Sequence, residues 1–181
     1  MGIHHISWQS TASGVEDEYI HAAALAWLTG DDEFVEIERM NSYHGSPIHL
    51  IRATIKRRGP ATKSLSRLGK KTLQNMKTRL QDMVDENNII HIRLDLHDLL
   101  AGKVTLTIPG SKPTVKGRAK LEVYPGDDAI EIAKKALDQI SGKKSCNRSA
   151  KKAQRDWGVR KGEPIGASVT VRGEDAKSLL K

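Results

Sequence analysis

The chain has 181 residues, of which 38% are hydrophobic and 4% aromatic, and its formal net charge is +8. That length allows one large domain or two small ones with thin cores, and the charge favours polyanionic partners. The single cysteine, Cys146, excludes an internal disulfide and a cysteine-based zinc site. No apolar run is long enough to cross a bilayer, and the N-terminus lacks a signal-peptide pattern. We therefore expect a cytoplasmic protein without membrane contact.

The first half of the chain alternates strand and helix patterns. Predicted strands cover 3–9, 34–40 and 48–56, and predicted helices cover 14–29 and 61–85. Asp17 and Glu18 favour the start of the first helix, and Gly30 ends it. The second and third strands form a hairpin with a long turn.

The second half continues the pattern with shorter elements. Predicted strands cover 89–94, 103–108, 115–124 and 167–173, and predicted helices cover 95–102, 127–140 and a stretch beginning at 174. Hairpins outnumber crossovers, which predicts an α+β fold with helices packed on one face of mostly antiparallel sheets. The stretch PGSKPTVK interrupts the pattern, so we expect two helix-on-sheet units, an N-terminal domain over 1–110 and a second over 111–181.

Basic residues concentrate in two places. Residues 141–181 carry 11 Lys and Arg against 4 Asp and Glu, and residues 51–80 carry ten Lys and Arg with no acidic residue. A charge run is often a solvated face, but thirty residues without a carboxylate favour a polyanion contact. The candidate RNA-binding residues in this earlier run are Arg57, Arg58, Lys63 and Arg67.

The segment 143–161 is the strongest signal for RNA. It has eight cations opposed only by Asp156, and such side chains contact phosphates. Trp157 could stack on a base or anchor the loop to the core, and Arg172 follows in the next predicted strand. A disordered basic linker is the alternative. The candidate residues are Lys143, Lys144, Arg148, Lys151, Lys152, Arg155, Trp157, Arg160, Lys161 and Arg172.

Signals for catalysis or metal binding are weak. The seven histidines form no HExxH motif and have no cysteine partners, so we expect no metal and no cofactor. Asp95, His97 and Asp98 lie close together and could do acid–base chemistry, but Asp95 is better placed to cap the helix that follows it. The loop 43–47 holds a tyrosine that either stacks on a base or packs against the protein.

The C-terminal third resembles a known family. YPGDDAIEIAKKALDQISGKK, SCNRSAKKAQRDWG and GVRKGEPIGASVTVRGEDA look like archaeal large-subunit ribosomal protein L-five, over about 118–181. That resemblance implies an L-five-like fold and binding to 5S ribosomal RNA, with other ribosomal proteins as candidate partners. The ribosomal family continues beyond the strand and helix of VTVRGEDA, so the segment 111–181 is expected to be truncated relative to it.

The rest of the chain resembles a second family. HHISWQS, FVEIER, YHGSPIHLIRATIKR and IIHIRLDLHDLLAGKVTL look like an archaeal RNA-binding family that has been linked by prediction to the exosome, over about 3–140. We expect a non-enzymatic RNA-binding protein of the large ribosomal subunit that contacts 5S or neighbouring ribosomal RNA. An exosome-linked accessory protein is the alternative, and an RNA-processing enzyme that uses Asp95, His97 and Asp98 is an alternative of another class.

Overall fold

The computed structural model describes residues 2–108, 110 and 113–142 and the backbone of 170–172. Within these residues the strands are β1 (Ile3–Ser13), β2 (Val35–Asn41), β3 (Pro47–Ile55), β4 (Ile89–Asp95), β5 (Thr114–Leu121) and β6 (Thr170–Arg172). The helices are α1 (Glu18–Thr29), α2 (Arg58–Ser66), α3 (Lys70–Thr78), α4 (Leu80–Met83), α5 (Leu96–Leu100) and α6 (Ala129–Gly142). A short 3₁₀ turn, Asp32–Phe34, precedes β2.

One six-stranded sheet organises these elements. Its strand order is β4-β5-β1-β3-β2-β6. All neighbouring pairs are antiparallel except β2 and β6, which are parallel. The described helices pack on one face of the sheet, where alternate strand residues are buried. The predicted fold class is therefore confirmed.

The core lies between that face and the helices. Trp8 is fully buried, and its Nε1 donates a hydrogen bond to Ser64 Oγ at 2.9 Å. Ser64 Oγ in turn donates to the Leu28 carbonyl at 2.7 Å. This chain of bonds satisfies two buried polar side chains and ties β1 to α2 and α1.

The sheet continues across the predicted boundary between residues 110 and 111. β5 lies between β4 and β1 and pairs with both along its length. The described residues therefore form one sheet where the sequence led us to expect two, because Val115, Ala119 and Leu121 add to the same core as β1. The division into two domains stays a prediction.

Helix ends that depend on local chemistry are as predicted. The side chain of Asp17 caps α1 by accepting a hydrogen bond from the Tyr19 amide at 2.9 Å, and Gly30 ends the helix with φ 92°. The long helix predicted over 61–85 is instead three helices. Gly69 adopts φ 82° between α2 and α3, and this left-handed conformation cannot continue an α-helix.

The strand predicted over 103–108 is much shorter in the structure. A single bridge joins Leu106 to Leu94 at the edge of β4, supported by the hydrogen bond from the Thr107 amide to the Arg93 carbonyl at 3.0 Å. The strand predicted over 167–173 is present as β6 in the part that the structure describes. None of the described helices is long and apolar enough to cross a membrane.

Candidate nucleic-acid interface

The face of the sheet turned away from the described helices is mostly polar, with Met40, Ile48, Leu50 and Ile89 as its apolar members. Successive side chains of a strand point to opposite faces, so the residues between the buried positions share this open face. Its polar members include His5, Ser7, Gln9 and Thr11 on β1, Glu36 and Glu38 on β2, Arg52 and Thr54 on β3, His91 and Arg93 on β4, and Lys116, Arg118 and Lys120 on β5.

The register brings together cations that are far apart in sequence. Arg93 pairs with Lys116, which pairs with Gln9, which pairs with Arg52 on the far side of β1. Neighbouring strands lie about 4.8 Å apart, so these residues form a row across four strands. The cations of this surface are called the open-face cluster: Arg52, Arg93, Lys116, Arg118 and Lys120.

Most of this positive charge is not neutralised within the described part of the chain. The side chains of Arg93, Lys116 and Arg118 make no hydrogen bond or ion pair with any described residue. Arg52 Nη1 lies 3.8 Å from Glu38 Oε2 in an exposed pair, and Lys120 Nζ donates to the Asn87 carbonyl. Arg93, Lys116 and Arg118 can therefore contact phosphate oxygens without first breaking an ion pair with a described residue.

Two histidines lie on the same face, and each interacts with a neighbouring titratable group. Partial burial lowers the pKa of His5, and the nearby His4 and Lys120 lower it further because like charges disfavour protonation. On β4, the His91 ring lies 2.8 Å from Asp85 Oδ2. That hydrogen bond is the main reason why the pKa of Asp85 is lowered, and the same carboxylate accepts from the Asn87 and Ile89 amides.

The run 51–80 is divided between layers of the fold. Apart from Arg52, its cations lie on or beside the helices, and several of them serve the fold. Arg58 pairs with Glu122, and Lys77 pairs with Asp138. Arg67 donates to the Trp27 carbonyl, and burial lowers the pKa of its guanidinium.

Of the four predicted site residues in this run, Arg57 and Lys63 are exposed, whereas Arg58 and Arg67 have contacts within the protein.

The strongest predicted site lies outside the described residues. The structure gives no side-chain position for its members, and Arg172 is described only as backbone in β6. They stay predictions: Lys143, Lys144, Arg148, Lys151, Lys152, Arg155, Trp157, Arg160, Lys161 and Arg172.

The hairpin tip between β2 and β3 presents its tyrosine to solvent. Tyr43 is 99% exposed, so the packed arrangement is wrong. The turn is held by hydrogen bonds from the Ser42 amide to the Ser46 carbonyl at 2.7 Å and from the Ser46 amide to Ser42 Oγ at 3.0 Å. Stacking of Tyr43 on a base stays a prediction, and the tip lies beyond the end of the sheet opposite to Lys120.

The carboxylate considered for acid–base chemistry has a structural role. Asp95 is the N-cap of α5, and its Oδ1 accepts a hydrogen bond from the Asp98 amide at 3.1 Å, as predicted. Among the described residues, no three His, Cys, Asp or Glu side chains are grouped to hold a metal ion.

Sequence reasoning missed most of the open-face cluster. Charge runs pointed to 51–80 and 143–161, whereas the three cations of β5 alternate with small residues in KGRAK (116–120), a run of only five residues. The alternation of cations and small residues along β5, which is typical of a strand, was visible in the sequence. What the sequence does not show is that β4, β1 and β3 place further polar and basic side chains beside it.

This surface is a basic face of an α+β sheet, and comparison with known proteins places the chain in a family. A family model described as RNA binding matches residues 6–136. The chain belongs to this RNA-binding family. The matched region contains the whole open-face cluster and ends before the basic segment 143–161.

Solved structures support the same fold. A DUF54 protein from Methanothermobacter thermautotrophicus superposes with a TM-score of 0.58 at 28% identity, covering 76% of this chain and 97% of that one. A DUF54-family protein from Archaeglobus fulgidus superposes with a TM-score of 0.59, covering 75% of this chain and 98% of that one; at 19% identity it shows the fold alone.

Curated sequences show a second, local likeness. Large ribosomal subunit protein uL5 of Nitrosopumilus maritimus is 72% identical over 54 residues, and that of Cenarchaeum symbiosum is 65% identical over 54 residues. Each match covers 30% of this chain, and the chain spans about a third of the length of these relatives (31% and 32%).

Proposed function

We propose that this chain is a non-enzymatic RNA-binding protein that holds the RNA backbone on the open face of its sheet. The observation that carries the proposal is the group of three neighbouring cations, Arg93, Lys116 and Arg118, which have no partner among the described residues and lie within the part matched by the RNA-binding family. Cations that have no ion-pair partner attract phosphates, and no internal ion pair has to break when a phosphate binds.

The mechanism is phosphate neutralisation with little reading of base sequence. Each Lys or Arg that contacts a phosphate releases condensed counterions, which makes binding strongly salt-dependent. Ser7, Gln9 and Thr54 lie between and beside the cations and offer hydrogen bonds to 2′-hydroxyl and phosphate oxygens.

Ribosomal RNA of the large subunit, 5S RNA included, is the RNA that we propose. The high identity to uL5 over 54 residues supports this choice, and the cations of 143–161 would add a second phosphate contact. Such a protein would work in the cytoplasm. Purified large subunits from the source cells should contain the chain at low salt; its absence from them, with recovery in another RNA-bound complex, would contradict the ribosomal assignment.

The binding surface is tested by removing two of its cations. We expect Lys116→Ala with Arg118→Ala to weaken RNA binding by about tenfold and to flatten the slope of log affinity against log salt by about 2 units, at roughly 0.9 per lost contact on a duplex. The measurement is fluorescence anisotropy over a salt series. Thermal unfolding should be unchanged, because both side chains are exposed.

A matched control removes the same charge from the helix layer. Lys70 and Lys71 are exposed in the first turn of α3 and make no ion pair with a described residue. Their replacement by alanine should leave the salt slope within about half a unit of the wild type. Equal slopes in the two double variants would show that net charge alone matters and that the open face is not the RNA-binding surface.

Incubation with RNA, with and without a chelator, tests whether the protein is non-enzymatic. Cleavage of the RNA that Asp95→Asn or Asp98→Asn abolishes would contradict the proposal.

A further inference from the structure

We infer that the open face takes the backbone of double-stranded RNA and not the bases of a single strand. This inference rests on the proposed function and names the class of RNA. It follows from which side chains the face has, and from how they are arranged.

Sheets that bind single-stranded RNA use aromatic rings on which unstacked bases lie. At the open-face positions of β1, β3, β4 and β5, the described residues include no Phe, Tyr or Trp. The tryptophan of β1, Trp8, points to the other face and is fully buried. The aromatic platform that a single strand needs is missing from the part of this face that the structure describes.

The two imidazole rings at this face are already engaged by neighbours. The His5 ring meets His4 edge-on, with centroids 5.1 Å apart and an interplanar angle of 81°. The His91 ring is held by Asp85 at 2.8 Å. Both rings are therefore poorly placed to serve as a stacking surface for successive bases.

The cations lie on both sides of a neutral polar stripe. The stripe is formed by Ser7, Gln9 and Thr11 on β1. On one side of it lie Lys116, Arg118 and Lys120 of β5, with Arg93 beyond, and on the other side lies Arg52 of β3. Lys56 directly follows β3 in the chain and is exposed.

The charged patch is as wide as it is long. From β4 to β3 it spans three strand spacings, about 14 Å, and from Lys116 to Lys120 it extends four residues along β5, about 13 Å. One backbone needs only a line of cations. Cations on both sides of neutral hydrogen-bonding groups, Arg52 on one side and those of β5 and β4 on the other, fit two phosphate backbones that flank a groove.

The minor groove of an RNA duplex has the chemical groups that this arrangement of cations and neutral polar side chains can bind. It is wide and shallow and displays 2′-hydroxyl groups between its two backbones. Hydroxyl and amide side chains of the stripe can donate to and accept from those hydroxyls, whereas a DNA duplex offers none. We therefore expect recognition of duplex RNA with little dependence on base sequence.

The test compares ligands on the full chain. The probes are an RNA duplex of about 16 base pairs, the span that double-stranded RNA-binding domains cover, an unstructured single-stranded RNA with the same number of phosphates, and a DNA duplex of the same sequence. Because the segment 143–161 also attracts any RNA, the diagnostic quantity is the change caused by Lys116→Ala with Arg118→Ala. We expect a loss of about tenfold for duplex RNA and at most about twofold for the single strand.

A second variant isolates the neutral stripe. Ser7→Ala with Gln9→Ala removes hydrogen-bonding groups but no charge. It should reduce the preference for duplex RNA over duplex DNA by severalfold and leave the salt slope unchanged. Retention of that preference would contradict the role of the stripe.

The two levels of the proposal fail in different ways. If the single strand loses as much affinity as the duplex when Lys116 and Arg118 are replaced, the face binds RNA but the duplex inference is overturned. If no RNA responds to that replacement while the wild-type chain binds RNA, the open face itself is not the binding surface, and the proposed function fails with it.

Discussion

The two faces of the same sheet differ most clearly at β5, where the contrast appears within eight residues. Toward the helices it presents Val115, Gly117 and Ala119, all buried. Toward the open side it presents Lys116 and Arg118, exposed and without partners among the described residues. The pleat of a strand thus separates the residues that hold the fold from those proposed to hold RNA.

The helix layer offers a second comparison. It carries more cations than the open-face cluster, but Arg58, Arg67 and Lys77 pair with a carboxylate or carbonyl of the protein. Charge density in the sequence therefore does not indicate which cations are available to a ligand. Availability depends on what lies across from each side chain, and only the strand register and helix packing determine that.

The largest expected effect comes from the covered side of β5. A Cβ at Gly117 would lie 2.4 Å from Trp8 Cζ3 and 2.7 Å from Cε3, and the fully buried indole has no room to move. Gly117→Ala should lower the free energy of unfolding by roughly 1–3 kcal/mol through overpacking, measured by urea denaturation. The salt slope of RNA binding should not change.

The control for this change is Gly59→Ala. Gly59 lies in α2, where an added Cβ has nothing within 4 Å, and alanine favours a helix over glycine. This variant should be at least as stable as the wild type. A Gly117→Ala protein of wild-type stability would show that the two sides of β5 are not separated as the structure indicates.

Local features of this fold could be predicted from sequence, and long-range ones could not. Asp17, Gly30 and Asp95 were identified as helix ends because capping depends on a few neighbouring residues. The hairpin of β2 and β3 was found for the same reason. The break at Gly69 was missed because apolar spacing continues through it, so the pattern predicted one helix.

The candidate site was missed because it depends on strand order. Placing Arg52 and Arg93 beside Lys116 requires knowing that β1 lies between β5 and β3 and that β4 lies outside β5. No periodicity within a single segment contains that information. The basic segment 143–161 was visible as a charge run, and its role stays a prediction.

A smaller effect is expected from a titratable pair on the covered side. His21 Nδ1 lies 2.8 Å from Ser10 Oγ, and both residues are buried. Burial is the main cause that lowers the pKa of His21 below its ordinary value of 6.5; His97 lowers it further, while Glu16 and Asp17 raise it in part. The unfolded chain therefore binds a proton more readily than the folded one, so stability is full above about pH 6.5 and falls as the pH drops below it.

Urea denaturation between about pH 8 and 5 measures this dependence. His21→Gln should weaken it, although the lowered pKa of His5 on the open face contributes a part that remains. A pH dependence identical in wild type and variant would contradict the assignment to His21.

The smallest expected effect comes from the acidic border of the open face. Glu38 Oε2 lies 3.8 Å from Arg52 Nη1, and both side chains are about half exposed (46% and 53%). An exposed pair of this kind contributes on the order of 0.2–1 kcal/mol, so Glu38→Gln should release Arg52 toward phosphate and raise RNA affinity by about twofold. Stability should fall by no more than about 1 kcal/mol. The matched control is Glu131→Gln on α6, because Glu131 is also exposed and its Oε2 lies 3.6 Å from Lys135 Nζ, but it belongs to the helix layer.

If both variants raise the affinity equally, the gain reflects net charge alone, and the open face attracts RNA no more strongly than the helix layer does. A gain with Glu38→Gln only, shrinking as salt is added, would place Arg52 among the residues that contact RNA.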